Sequence, residues 1–334
     1  MTSPRPQRLI VPAGGIGGAR FLGGLLDAAG PDATITVIGN TGDDIWLHGL
    51  RICPDLDTVM YTLGGGISVE RGWGREDETF TVKDELAEYG VEPSWFGLGD
   101  RDIATHLVRT RMLQAGYPLS AVTEALCTRW QPGVQLIPMT DERAETHVVV
   151  DDPDGGLGDD GRPRRKALHF QEWWVRYRAS LPAHDIVLIG VDDARPAPGV
   201  LEAIASADAI ILPPSNPVVS VGTIMQIPGI RDALLGSGAP IVGVSPIIGD
   251  RPVRGMADAC LEAIGVRTSA EAVGEHYGAR TSGGLLDGWL VDSADASAGV
   301  PGVIVESLPL LMSDRQETAR IAGAALDLAE RIAS

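Results

Sequence analysis

Short β-branched apolar runs alternate along the chain with segments whose apolar positions recur at helical spacing, and that alternation predicts an α/β protein. Residues 8–12 (RLIVP) and 35–39 (ITVIG) read as the first two strands, with the helical run Phe21–Ala29 between them. Helical spacing then dominates: Thr58–Leu63, capped near Asp57 and ended by Gly64-Gly65-Gly66; Val82–Tyr89; Ile103–Ala115, capped by Asp100 or Asp102; and Leu119–Arg129. No strong strand interrupts these elements, which predicts a helical insertion on the core. Strands return at Val134–Pro138 and Val148–Val150. The polar tract Asp151–Arg165 reads as a hairpin or flexible loop and as the segment most prone to disorder. Ala167–Arg178 (ALHFQEWWVRYR) carries Trp173, Trp174 and Tyr177, which read as core or interface packing, with a platform for a flat heterocycle as the alternative.

From 185 onward the alternation is regular. Strands are expected at Asp185–Gly190, Ala209–Leu212 and Pro240–Val244, and helices at Pro198–Ser206, Ile224–Leu235 (interrupted by Pro228) and Met256–Ile264. Leu290–Val291 and Val303–Leu308 complete the sheet, and Arg315–Ala333 closes the chain as an amphipathic helix. The expected fold is a doubly wound, mainly parallel α/β sheet with an inserted helical and β portion. Residues 1–66 and 185–334 would form the core, and 67–184 the insertion.

Composition narrows the function. With 27 basic against 45 acidic residues the formal charge is −18, which argues against a nucleic-acid partner or an anionic membrane surface. A phosphorylated substrate must therefore be held locally, by a metal, arginines and backbone N–H groups. The three cysteines, Cys53, Cys127 and Cys260, have no metal-type or CxxC spacing and fit a reducing cytosol. The N-terminal residues 1–6 lack a signal-peptide apolar region, and no run of about 20 apolar residues occurs. The chain reads as a soluble cytoplasmic protein.

Three strand-end features carry the candidate chemistry. Ala13-Gly14-Gly15-Ile16-Gly17-Gly18-Ala19-Arg20 joins the first strand to a helix N-terminus, where unpaired N–H groups and the helix dipole favour an anion and an arginine can add a fork. A dinucleotide fingerprint fails at its third glycine position, which is Arg20, and no Lys-Ser/Thr marks a P-loop. The stretch 40–57 (NTGDDIWLHGLRICPDLD) sets Asp43, Asp44, Asp55 and Asp57 with His48 and Arg51 just past the second strand. Carboxylates there suit a Mg²⁺ that itself holds phosphate oxygens. Solvated turns are the plain alternative. Later loops add Ser215 and Asn216, then Ser245, Arg251 and Arg254; Asn216 could equally cap a helix. With no serine-triad elbow, zinc motif or Schiff-base signature, the set points to phosphoryl or phosphodiester transfer.

The blocks GGIGGAR, NTGDDIWLHGLRICPDLDTVMYTLGGG, WFGLGDRDIATHLVRT, DERAETHV, HFQEWWVRYR, PPSNPVVSVGTI and SPIIGDRPVRGMAD together resemble the 2-phospho-L-lactate transferase family of deazaflavin coenzyme F(420) biosynthesis. The resemblance runs nearly end to end. It implies a Rossmann-like core and transfer of a phospho-acid moiety from a guanosine-diphosphate-linked donor to the ribityl hydroxyl of the deazaflavin precursor Fo, with release of GMP and a requirement for Mg²⁺. The text is most similar to the actinobacterial branch, implying an enolpyruvyl donor and a dehydro-product. Carried over, Asp43 and Asp57 would ligate Mg²⁺ with Asp44 and Asp55 assisting. Gly14, Gly15, Gly17, Gly18, Arg20 and Asn40 would contact substrate. Ser215 and Asn216 would meet the guanosine diphosphate, with Arg251 or Arg254 on phosphate. A loop carboxylate or, less directly, His48 would be the general base. A homodimer is expected. The rival readings are a nucleotide-sugar-binding regulator without turnover and a nicotinamide oxidoreductase, the latter weakened by the failed fingerprint.

Overall fold

Seven short strands, apolar on both faces because helices cover both, form one parallel sheet. They are β1 (Arg8–Ala13), β2 (Thr34–Gly39), β3 (Gln135–Pro138), β4 (Ala209–Leu212), β5 (Ile241–Val244), β6 (Gly288–Val291) and β7 (Ile304–Ser307). Their order across the sheet is β7-β6-β5-β4-β1-β2-β3, every pairing parallel. The computed structural model describes residues 6–158 and 160–334; the N-terminus from which the lack of a leader was read, residues 1–5, and Asp159 of the polar tract lie outside the described residues.

Strand alternation sends neighbouring residues to opposite faces. Leu9 and Val11 of β1 join Phe21 and Leu22 of helix α1 (Gly15–Ala29) and Ile321 and Leu326 of the closing helix Arg315–Ala333. Ile10 faces the other way, towards Val200, Ile224, Ile230 and Leu261 of later helices. Helices α2 (Pro54–Leu63) and α5 (Leu119–Trp130) also pack on the α1 face. Each buried Val, Leu or Ile stabilises the fold by roughly 1.5–3 kcal/mol relative to exposure, so both layers are needed. The expectation of a doubly wound sheet is met.

Several local readings change. The segment Asp185–Ile189, expected in the main sheet, pairs antiparallel with Glu145–Asp151, which also pairs with Arg165–His169, making a separate three-stranded sheet. A helix, Val200–Ala205, lies in the connection onward to Ala209–Leu212, so the chain re-enters the main sheet one strand later; Asp185–Ile189 is held instead by its pairing with Glu145–Asp151. Conversely β3, inside 67–184, is the edge strand of the main sheet, so two strands cross the boundaries drawn at 66/67 and 184/185. The polar tract is the connection of a hairpin, as one of its two readings had it.

Helix α2 starts at Pro54 rather than near Asp57, because a proline is favoured at the first helical position, where its missing N–H has no partner to lose. Helices α3 (Thr81–Glu88) and α4 (Asp100–Gln114) exchange caps. Glu78 accepts from Arg101 N (2.6 Å) and Asp102 N (3.1 Å) of α4, while Asp100 accepts from Thr81 N (3.1 Å) and Val82 N (2.9 Å) of α3. Asp100 and Asp102 thus sit inside α4's first turn and do not cap it.

Candidate active site

Strand order reverses between β1 and β4: the chain runs outward one way through β2 and β3 and the other way through β5, β6 and β7. Open α/β sheets bind ligands at such a reversal, because the loops leaving the two strands diverge and open a crevice. Here those loops are the glycine turn and Pro213–Asn216. Gly14 is extended, and Gly15 has φ +68°, which L residues rarely adopt, with nothing within 4 Å of where a Cβ would stand. Ser215 Oγ donates to the Gly14 carbonyl at 2.8 Å. A Cβ on Gly17 would lie 2.6 Å from the Pro214 carbonyl oxygen, one on Gly18 would overlap Ser215 Oγ, and one on Gly14 would overlap Asp55 Oδ2. Three of the four glycines expected to admit a ligand therefore serve the approach of protein groups, and Gly15 alone borders open space.

The crevice opens into a cavity of about 980 Å³. Asp43, Asp55 and Asp57 line it, and so do Asp102 and His106 of α4. Trp73, Phe96, Leu98 and Trp174 give it an apolar, aromatic portion. Trp173 is fully buried in the core, the packing role expected of it, while its neighbour Trp174 reaches the cavity from a π-helical turn, Glu172–Arg176.

The Asp-rich stretch is two structures. Ile45–Leu47 and Leu50–Ile52 form a hairpin whose turn, His48-Gly49, has positive φ at both residues, the geometry that matches strand twist. His48 is exposed at that tip and away from the cavity, so it is no general base. Around the hairpin the acids divide. Asn40 donates to Asp43 Oδ1 (3.2 Å), Asp55 Oδ2 (2.9 Å) and the Val219 carbonyl (3.1 Å), and Gln171 Nε2 donates to Asp43 Oδ2 at 3.3 Å. Asn40, expected on substrate, instead ties two carboxylates together. Asp44 turns the other way, to a buried ion pair with Arg51 (3.0 Å), which also meets Glu145 (3.3 Å); it does not line the cavity. Asp43 sits in a turn closed by Asp44 N donating to the Thr41 carbonyl at 3.2 Å, and that turn separates Asp43 from Asp44.

Asp57 has other neighbours, all on α4. Its Oδ1 accepts a short hydrogen bond from Arg109, which is 1% exposed, and its Oδ2 lies 3.7 Å from His106 Nδ1 without a hydrogen-bond partner. Asp102 accepts from Tyr61 Oη at 2.6 Å and stands 3.6 Å from His106 Nε2. Asp102, His106 and Arg109 fall at i, i+4 and i+7 on one helix face. The spacing is visible in GDRDIATHLVR, within a helix expected only as part of the insertion. Gln171 was likewise hidden among aromatics that drew attention to themselves.

Burial dominates the electrostatics. It pushes Asp43 well above the ordinary carboxylate range, with Asp55 adding like-charge repulsion, and raises Asp55 and Asp44 each to about 6. Asp57 is raised by burial and pulled back by Arg109 and His106. For Asp102 burial is outweighed by His106 and Tyr61, so its carboxyl is held low. Raised carboxyls in a cavity are placed to exchange protons near neutral pH.

The cationic residues fare unevenly. Arg20 lines the cavity while donating to the Met312 carbonyl at 2.7 Å, and Arg254 and Arg178 also line it. Arg251 is exposed on the small hairpin Ile247–Ile248/Arg251–Pro252 and does not line the cavity. Asn216 Oδ1 accepts from Val218 N (2.9 Å) and Val219 N (3.2 Å), which stabilises the loop rather than capping the helix Val221–Gln226, and the residue lines the cavity beside Ser215. Asp57, Asp102 and His106 bring ligand atoms within 4.8 Å of one another, a group that could hold a metal ion. Asp57 Oδ2 is buried without a partner there and Asp102 stands beside it, so the carboxylate oxygens present fit a divalent cation.

Among the described residues no helix is long and apolar enough to cross a membrane. Over 330 residues the chain is 66% identical to the "Phosphoenolpyruvate transferase" of Thermobifida fusca, covering 97% of this chain and 98% of that one. It is 64% identical over 330 residues to the protein of the same name from Streptomyces coelicolor, covering 98% and 99%. In fold it is similar to the crystal structure of protein BH3568 from Bacillus halodurans, with a TM-score of 0.61 at 17% identity, covering 96% of this chain and 99% of that one. Residues 9–302 match the family model described as "2-phospho-L-lactate transferase CofD", and the chain belongs to that family.

Proposed function

We propose that this chain transfers the phosphoenolpyruvyl group of a guanosine-diphosphate-linked donor to the ribityl hydroxyl of Fo, giving dehydro-F(420)-0 and GMP in the cytoplasm. The observation that carries the reading is the convergence, at one strand-order reversal, of a helix N-terminus with open space at Gly15 and three buried carboxylates lining the same cavity. Two actinobacterial relatives named for phosphoenolpyruvate transfer, each covering nearly the whole chain, support the choice of donor.

In this reading the hydroxyl oxygen attacks the phosphorus bearing the enolpyruvyl group, the bond to the GMP oxygen breaks, and GMP departs. Asp43 and Asp57 would hold Mg²⁺, whose hard oxygen preference suits carboxylates and which, when bound, supplies charge neutralisation to the diphosphate. The first-turn N–H groups of α1, with Arg20 and Arg254, take phosphate oxygens. Trp73, Phe96 and Trp174 face the flat deazaflavin ring. Asp55, joined to Asp43 through Asn40, receives the hydroxyl proton.

The test is incubation of the protein with Fo, Mg²⁺ and each of the enolpyruvyl and lactyl guanosine-diphosphate donors, with product mass and GMP read together. GMP release with a dehydro-product from the enolpyruvyl donor is expected. A product heavier by two hydrogens, formed only from the lactyl donor, would move the assignment to 2-phospho-L-lactate. Nucleotide binding without GMP release would replace the transferase by a binding protein.

A further inference from the structure

Arg109 has no place in the chemistry described so far, yet it is the most deeply buried cation near the cavity. It is 1% exposed, and its guanidinium is spread over three partners. Nη2 donates to Asp57 Oδ1, while Nη1 reaches His106 Nδ1 at 3.1 Å and the Arg51 carbonyl at 3.4 Å. Guanidinium has donors only, so His106 Nδ1 must accept, and the neutral ring carries its proton on Nε2, the side facing Asp102. One planar group thus fixes a carboxylate rotamer and an imidazole tautomer at once. The third contact ties both to the hairpin strand Leu50–Ile52, which leads into Cys53 and helix α2.

The consequence is a choice between the two oxygens of Asp57. Oδ1 is consumed by Arg109; Oδ2, buried and without a hydrogen-bond partner, is the one left for a ligand. We propose that Arg109 is a positioning residue for the transfer reaction, acting through Asp57 by holding its carboxylate so that Oδ2 is presented to the substrate side of the cavity. The inference rests on the functional reading above. A lysine could keep the charge but cannot reproduce a planar fork directed at three acceptors, so geometry and charge are separable here.

The variant is Arg109→Lys, with Asp57→Asn and the double variant Asp57→Asn/Arg109→Gln beside it. In Arg109→Lys, near-UV circular dichroism stays native-like, the KM for donor stays within about threefold, and kcat falls roughly 10²-fold, the scale of a 1 Å misplacement. A folded Arg109→Lys protein with kcat within about twofold of the parent overturns the proposal. Should Arg109→Lys fail to fold, the double variant, which removes both buried charges together, decides. If Arg109 acts through Asp57, its kcat lies within about threefold of Asp57→Asn alone, whereas a further loss of roughly 10²-fold means an independent role and overturns it. Histidine ¹⁵N spectra give a readout free of turnover: His106 in the parent protein shows an unprotonated, hydrogen-bonded Nδ1 that changes in Arg109→Lys. A parent protein that shows this signature but releases no GMP removes the functional reading and leaves the clamp standing. A protonated Nδ1 in the neutral ring removes the clamp itself.

Discussion

Gly17→Ala probes the crevice most directly. The new methyl would stand 2.6 Å from the Pro214 carbonyl oxygen, about 0.8 Å inside the 3.4 Å at which ordinary van der Waals contact begins. Because that oxygen belongs to backbone, no rotamer relieves the overlap, and either α1 or the Pro213–Asn216 loop must move. Overpacking of this kind costs about 1–3 kcal/mol. Replacing a helical glycine by alanine returns about 0.8–1 kcal/mol. The net loss is roughly 0–2 kcal/mol, a fall in Tm of at most about 3 °C. The same displacement moves Ser215 and Asn216 relative to Gly15 by nearly the distance that costs about 10²-fold in rate. Activity should therefore fall further than stability. Thermal unfolding followed by circular dichroism, alongside steady-state GMP release, measures both. Gly323→Ala in the closing helix, where nothing lies within 4 Å, is the control and should be neutral or slightly stabilising. Unchanged kcat and Tm in Gly17→Ala would mean that the loop after β4 does not abut α1 as described.

Asp43→Ala should abolish transfer in a folded protein, and turnover retained at saturating Mg²⁺ would take Asp43 out of the site. Trp173→Ala should cost about 3–5 kcal/mol because the ring is wholly buried. Trp174→Ala should instead raise the KM for Fo with a smaller stability change; the reverse pattern in calorimetry and kinetics would refute this division. Burial lowers His169 to about 4, while its Nδ1 accepts from Gln171 N and its Nε2 faces the Asp44 carbonyl. Between that value and the unfolded value near 6.5 the unfolded chain binds the extra proton more readily. The stabilisation is complete above about pH 6.5 and is lost as pH falls towards 4, by up to about 3 kcal/mol. His169→Gln should flatten that limb of a pH series of urea unfolding curves, and an unchanged slope would show that another group governs it.

The parallel core was legible because β-branched runs bounded by glycine and proline carry a local signal, and all seven of its strands were placed to within a few residues, although Val134–Pro138 was assigned to the insertion. Asp185–Ile189 was misassigned because a short apolar run does not say which edge it will join; its partner, Glu145–Asp151, is set only in the folded chain. The acids at 43, 55 and 57 were legible as a cluster past β2, but their pairings were not. Whether Asp44 faces Asp43 or Arg51 is decided by the turn at 41–44, and Asn40 reads as a ligand-binding residue until two carboxylates are seen on its amide. The contribution of α4 was written at helical spacing in Asp102, His106 and Arg109. It escaped notice because a helix rich in polar residues also looks like a solvated surface.

The exchanged caps of Glu78 and Asp100 bind two short segments into a single cooperative unit. Each supplies the side chain that completes the other's first turn, so neither can fray alone. Since the second of these helices holds Asp102, His106 and Arg109, the placement of buried side chains beside the cavity depends on two half-buried carboxylates nearer the surface. Amide exchange across 78–102 should accordingly report one shared opening, and neutralising either acid should loosen the distant guanidinium along with the nearby turn.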